Sequence, residues 1–390
     1  MPHFPDTIVV GGGKKLILIK EEKKTLTGEN PKKCYEDSDG NTYIVKMEKE
    51  RKIEDIFKNS LSVIPKAEEP ATKNLQKHIE ALRDTATATS VIAGHIAKAI
   101  FPSLVVPQNY LARLKDGTPI VLSKFLPKPL DEFLSTTSVI TMFKPTKPTD
   151  WTTLFTRSAL NLKMDQVKIL GKIYYIALLM GHWDIINNID LKNSGSITIK
   201  KECKPCIVDW GNCLGIGFGG LCQDATAFQN PEFKDLKLKS GHDPVTGFMG
   251  SVPFNHIVYS RLPRQLAPDL FDLTTDDMMG KTMLEGFKEA REEARKNLIQ
   301  LSIKKAMINT LGEEDTCHFK DAFNQELFGT AESYSGDKEP ELKKILIGRF
   351  HSIETMIKKI DAGEKMHTIM EEQFEEMIKS QQIIKPKARL

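Results

Sequence analysis

Cysteine, tryptophan and an excess of either charge are all scarce in this chain of 390 residues. Six cysteines over such a length cannot form the disulfide framework of a small secreted domain, which points to a reducing compartment. Lysine and arginine number 55 against 52 acidic residues, a net charge of +3. That is too little to argue for nucleic acid, so any electrostatic case must rest on local clusters. Long hydrophobic runs are missing too: the longest, around residues 173–180, is far shorter than a spanning helix requires. The opening Met1-Pro2-His3-Phe4-Pro5-Asp6 has no basic start followed by an apolar core, so no secretory signal peptide is expected. Export by a route without an N-terminal mark stays open. What is present, 40% hydrophobic and 27% charged residues, is ordinary for a soluble globular protein. The length suits two or three domains.

The β-rich runs Ile8-Val9-Val10 and Leu16-Ile17-Leu18-Ile19 flank Gly11-Gly12-Gly13 and predict a hairpin. A phosphate-binding loop would need Gly-Lys-Ser/Thr opening a helix, and here a strand follows. Next come the loop Gly28-Glu29-Asn30-Pro31-Lys32-Lys33, a turn at Asp39-Gly40-Asn41, and the run Tyr43-Ile44-Val45 ending in Lys46. Helical patterns cover 54–61 and 74–100, with Val91, Ile92, His95, Ile96 and Ala99 on one apolar face. His95 reads as a packed residue rather than a ligand. Glu80 is the best placed acid to pair with Lys46, a solvated Glu being an equal reading. Strands return at 109–114 and 119–126 around Lys115-Asp116-Gly117. The second, with Ser123 and Phe125, runs into Pro127-Lys128-Pro129, a hinge between a β-rich and a helical part. Residues 127–150 read as a loop insertion rich in Pro, Thr and Lys. Beyond about 275, helical patterns at 285–304, 342–360 and 366–379 form either an appended bundle or the end of the second lobe.

The stretch 181–211 carries the chemistry. An apolar helix ends at Met180, followed by Gly181-His182-Trp183-Asp184, Asn187-Asn188, a polar hairpin, and Cys206-Ile207-Val208-Asp209-Trp210-Gly211. Phosphoryl transfer needs oxygens to hold magnesium and one carboxylate aimed at the attacking hydroxyl; this stretch supplies them in that order. His182 reads as an anchor that fixes the loop through a backbone hydrogen bond, leaving Asp184 as the working carboxylate. Singly, Asp184 and Asp209 are ordinary turn residues; together with Asn188 and an upstream strand lysine they make coincidence a poor explanation. Cys203 and Cys206, with Cys213 and Cys222 downstream, lack the two close pairs of a zinc site, and Cys206 suits a core strand better.

His182-Trp183-Asp184 with Asn188, followed by Asp209-Trp210-Gly211, resembles the His-Arg-Asp…Asn and Asp-Phe-Gly pair of protein kinases. The loop at Gly28 to Lys32 before Lys46 resembles that of the atypical branch, which includes HipA-type toxin kinases and phosphatidylinositol 4-kinases. The chain is also similar in style to type IV secreted effector kinases of Legionella. The resemblance implies an α+β, two-lobed kinase-like fold: β-rich N-lobe 1–126, mainly helical C-lobe 127–274, and an appended helical domain 275–390. It implies ATP as cofactor, with Lys46 on the α- and β-phosphates and Gly28, Lys32, Ser123 and Phe125 also binding the nucleotide. Asp209 and Asn188 (less securely Asn187) would hold manganese or magnesium, and Asp184 would take the proton of a protein or small-molecule hydroxyl.

It further implies activation by inositol hexakisphosphate, for which Lys14, Lys15, Lys20, Lys23, Lys24, Lys32 and Lys33 are the basic candidates. A phosphatidylinositol 4-phosphate module would lie in 275–390, with Lys343, Lys344, Arg349, Lys358, Lys359 and Lys365 facing the headgroup. The expected location is the host-cell cytoplasm, peripheral on a phosphoinositide-bearing membrane. Three departures from the family pattern stand out: Asn188 falls one position early, no helix glutamate is firmly assigned, and no Ala-Pro-Glu follows Asp209. An inactive kinase fold acting as a phosphoinositide-binding adaptor, a lipid kinase and a nucleotidyl transferase therefore remain alternatives.

Overall fold

The computed structural model of the chain describes residues 4–10, 14–19, 31–47, 90–114, 118–124, 134–135, 157–182, 193–210, 213, 273–276, 278–302, 339–366, 368–369 and 372. Gly28, Glu80, Phe125, Asp184, Asn187, Asn188 and Cys222 lie outside them, as do the patterns at 54–61 and 74–89. The fold is a mixed one of antiparallel sheets and helices. Strands β1 (Thr7–Val10), β2 (Lys14–Leu18), β3 (Lys32–Glu36), β4 (Thr42–Lys46), β5 (Gln108–Arg113) and β6 (Pro119–Lys124) form one antiparallel sheet in the order β1-β2-β3-β4-β6-β5. A helix, α1, whose described part is 90–100, precedes β5.

Period-two alternation decides which face each side chain takes. Tyr43 and Val45 of β4 are buried with Ile8, Leu16, Tyr35, Ile120 and Leu122 in one core on one face. The opposite face carries Ile44, Lys46, Val121 and Ser123, and Val121 belongs to the second core together with α1. The β3–β4 turn follows from its residues: the Asp37 carboxylate accepts from the amides of Asp39 and Asn41 at 3.0 and 2.8 Å, and Gly40 takes φ 75°.

The hairpin of β8 (Ser194–Ile199) and β9 (Glu202–Ile207), with β7 (Leu134–Ser135) alongside β8, is the second sheet. It turns at Lys200 and Lys201, whose φ values of 51° and 70° match a turn with both central residues left-handed. The long helix α2 (Arg157–Met180) packs beside it, and α3 (Met278–Asn297) and α4 (Glu339–Asp361) pack on α2. One continuous core runs through α1, α2, Ile207, Trp210, α3 and α4. The described part of 275–390 thus shares its core with α2 rather than burying a hydrophobic face of its own. From Ser90 to Ala97 α1 is buried on every side, not on the single face expected, because β5 (His95 to Asn109) and Trp210 (against Gly94) both pack on it, while α3 meets its other end. There Asn297 Nδ2 donates to Ile100 O at 3.0 Å, and Glu293 accepts from Ser103. Among the described residues no helix is long and apolar enough to cross a membrane.

Helices α2 and α3 cross where both carry glycine. A methyl on Gly171 would overlap the carbonyl of Met283, and one on Gly286 the carbonyl of Lys168, so backbone meets backbone. Alanine gains about 1 kcal/mol of helix propensity over glycine, whereas overpacking costs about 1–3 kcal/mol and more when backbone must move. Gly171→Ala and Gly286→Ala are each expected to lose about 2 kcal/mol or more net, read as a lower urea midpoint with an unchanged slope.

Candidate active site

Asp209 follows β9 and is held from several sides. Ile207 N donates to Val105 O at 3.1 Å, Val105 N to Pro205 O at 2.8 Å, and Val208 N to Asn193 O at 2.9 Å. The Trp210 ring, 1% exposed, packs against α1 at Gly94, where a Cβ would stand 3.1 Å from Trp210 Cδ1. Cys213 Sγ donates to Trp210 O at 3.1 Å. With the backbone pinned on both sides, the Asp209 side chain has a fixed origin.

From the sheet, Lys46 at the end of β4 reaches it: Nζ lies 3.1 Å from Oδ1 and 3.3 Å from Oδ2. The lysine side chain is 15% exposed and the aspartate 32%, so the pair is screened on the lysine side and open on the carboxylate side. Lys32 stands directly opposite Lys46 across the β3–β4 ladder. Directly opposed residues share a face, so Lys32 and Lys46 rise from the same side of the sheet.

His182 lies beneath. Its Nε2 donates to the Asp209 carbonyl at 2.7 Å, and its ring sits 5.4 Å from that of Trp210. Burial pushes its pKa down to about 4, the bond to Asp209 O opposing only in part. The proton of the neutral ring therefore resides on Nε2, while Nδ1 is buried with no hydrogen-bond partner. His182 is a strut, as expected from its place in the turn, and not a base.

Ser123 of β6 sits on the Lys46 face, paired in register with Ile44 and Asn109. Its Oγ donates to Asn109 Oδ1 at 2.5 Å, and the Asn109 carbonyl accepts from His95 Nε2 at 3.0 Å. The buried Asn109 links α1, β5 and β6 and was not singled out from the sequence. Only its position opposite Ser123 could have drawn attention to it. His95 is a packed residue as expected, its pKa lowered to about 4 by burial.

Lys32, Lys46, Ser123 and Asp209 are thus placed; Gly28, Phe125, Asp184 and Asn188 lie outside the described residues. Cys203 and Cys206 stand three apart on β9 and point to opposite faces, so they cannot share a metal. Burial raises the Cys206 thiol to about 12, that of a core residue. Arg349, read as facing a lipid headgroup, is instead buried at 1% exposure.

No protein-family model matches the chain, and no curated protein matches it in sequence. Among solved structures it is similar to the crystal structure of a Helicobacter pylori proinflammatory kinase, CtkA, at 15% identity and a TM-score of 0.37. The match covers 86% of this chain and 96% of that one.

Proposed function

We propose that the protein is an atypical, kinase-like phosphotransferase that moves the γ-phosphoryl of ATP to a hydroxyl of a protein or small molecule. The observation that carries this reading is the contact of Lys46 Nζ with Asp209 at 3.1 Å, above a histidine bonded to the Asp209 backbone. A strand lysine and a turn aspartate far apart in sequence meet, close enough that one would reach the phosphates and the other the metal of a single nucleotide. Lys46 and Lys32 would hold the phosphates, Gly28, Ser123 and Phe125 would line the nucleotide, and Asp184 would take the hydroxyl proton.

Among the described residues no group of three or more His, Cys, Asp or Glu forms a ready metal cage. None is needed, since magnesium in such sites rests on one or two carboxylates plus substrate phosphates. The open carboxylate of Asp209 is a hard oxygen donor of that kind, and Asn188 would add a second contact. When bound, magnesium or manganese neutralises charge developing on the phosphoryl oxygens.

A second reading, an inactive kinase-like fold acting as a phosphoinositide-binding adaptor, draws on the sequence: Asn188 follows Asp184 one position early and no helix glutamate is firmly assigned. Incubation of purified protein with radiolabelled ATP, manganese and inositol hexakisphosphate separates the two. Label transfer, together with a nucleotide-and-metal thermal shift that Lys46→Ala removes, is expected. No transfer and no shift under any metal or inositol phosphate overturns the enzyme reading. Omitting the inositol phosphate tests its part, which the basic residues of 14–33 support. Vesicles with and without phosphatidylinositol 4-phosphate test the lipid part, supported by the exposed Lys358 and Lys365. The full chain should be used, because α3 and α4 share the core of α2.

A further inference from the structure

The turn that carries His182 departs from the C-terminal end of α2, and the cap of that helix is completed from elsewhere in the chain. Gly181 adopts φ 64°, its amide donates to Leu178 O at 3.4 Å, and the His182 amide donates to Ala177 O at 2.9 Å. This is the paired bonding of a glycine-ended helix, which still leaves the last carbonyls short of donors. Although α2 is 24 residues long, its last turn contains no basic residue, so its own sequence does nothing to offset the negative end of the helix dipole.

Arg349 of α4 supplies that charge. Its Nη1 lies 3.5 Å from both Leu178 O and Leu179 O, long contacts that act more by charge than by hydrogen-bond geometry. Its guanidinium fills the space against Gly181, where a methyl would overlap it, which explains glycine there on two counts. The guanidinium also acts on the Cys213 thiol, the group bonded to the carbonyl of Trp210. One buried cation therefore lies against the Gly181-His182 corner that leads to the site.

We propose that Arg349 is a positioning residue for the phosphoryl-transfer centre. It fixes the Gly181-His182 corner and, through the His182 Nε2 bond of 2.7 Å, the backbone of Asp209. The inference rests on the kinase-like reading above. It makes α4 part of the catalytic unit rather than an accessory to it, and it withdraws Arg349 from any lipid surface.

Arg349→Met and Arg349→Lys test it by steady-state kinetics, thermal melts and amide hydrogen exchange on the full chain. A small displacement of catalytic groups can cost up to about a hundredfold in rate. Arg349→Met is therefore expected to lower kcat about tenfold or more, with KM for ATP within about twofold. Arg349→Lys, keeping the charge, is expected to recover part of kcat. Amides of Gly181, His182 and Val208 should lose protection in Arg349→Met while those in the middle of α3 keep theirs, a pattern that general destabilisation would not give. A folded Arg349→Met with wild-type kcat and unchanged exchange at those amides overturns the proposal. If Arg349→Met does not fold, Arg349→Lys decides it: wild-type kcat and exchange in that variant overturn it equally. If the wild-type protein transfers no phosphoryl group, the kinase-like reading fails on its own, and the exchange pattern still decides whether Arg349 sets the His182–Asp209 backbone.

Discussion

On the proposed phosphotransferase reading, Asp209→Ala is expected to reduce phosphoryl transfer by roughly three orders of magnitude while the protein stays folded, because the residue would serve chemistry more than stability. Loss of one preorganised charge-stabilising group costs about a hundred- to a thousandfold in comparable sites, and here the same carboxylate would also hold the metal. Stability should change little. The backbone anchors of the turn, His182 Nε2 to Asp209 O at 2.7 Å and Val208 N to Asn193 O at 2.9 Å, involve no atom of the Asp209 side chain. The ion pair that is lost has a carboxylate 32% exposed, and such partly solvated pairs contribute only about 0–1 kcal/mol. The measurement is initial velocity with ATP and manganese, next to a thermal melt. Asp209→Asn sharpens it by keeping the shape and removing the charge. Activity above a tenth of wild type in either folded variant removes Asp209 from the proposed role. The double variant with Lys46→Ala adds a coupling test, since groups acting as one unit lose far less together than the sum of their single losses.

What the residues disclosed in advance, and what they withheld, divides along the reach of the interactions. The hairpins were readable because alternation and turn chemistry are local: Asp37 to Asn41 closes β3 on β4, and β8 and β9 flank a two-residue turn. The strand lysine and the turn aspartate were readable because each ends an apolar run, and the His182 strut because it lies next to that turn. The register that sets Lys32 opposite Lys46 is a pairing property that neither strand shows alone. The helices after 275 displayed their periodicity but not their partner. The α2–α3 crossing depends on Gly171 meeting Gly286, two small residues that read as mere weak points in a helix. Arg349 illustrates the limit most clearly. In a sequence rich in Lys and Glu it reads as one more surface cation, and only the end of a helix far earlier in the chain gives it a buried task.

Acid should unfold the protein earlier than its carboxylates alone would dictate, because two buried histidines resist protonation. His95 and His182 both have pKa values pushed down to about 4, by burial first, with the bonds to Asn109 O and Asp209 O opposing in part. Around His182 the facing charges are Asp209, which favours its protonated form, and Lys46, which disfavours it. In the unfolded chain each histidine titrates near 6.5. Between about pH 6.5 and 4 the unfolded state therefore binds protons that the folded state refuses, and stability rises with pH across that window. The contribution is whole above about pH 6.5 and lost as pH falls toward 4; for the two together the loss comes to about 4 kcal/mol by pH 5. Glu289 and Glu292 have lowered pKa values, through hydrogen bonds from Lys168 and Lys172 and from Arg291, with burial opposing in both and leading among the causes for Glu289. Their stabilisation is lost only as pH drops below the ordinary glutamate range, so among the described groups the interval from pH 6.5 to 5 belongs to these two histidines. His182→Gln keeps a donor for Asp209 O and removes one titration. Its Tm should fall over that interval by about half as much as the wild-type Tm, with His95 supplying the remainder. Parallel Tm profiles for the two proteins would show that His182 does not exclude its proton when folded, and the neutral strut beneath Asp209 would have to be given up.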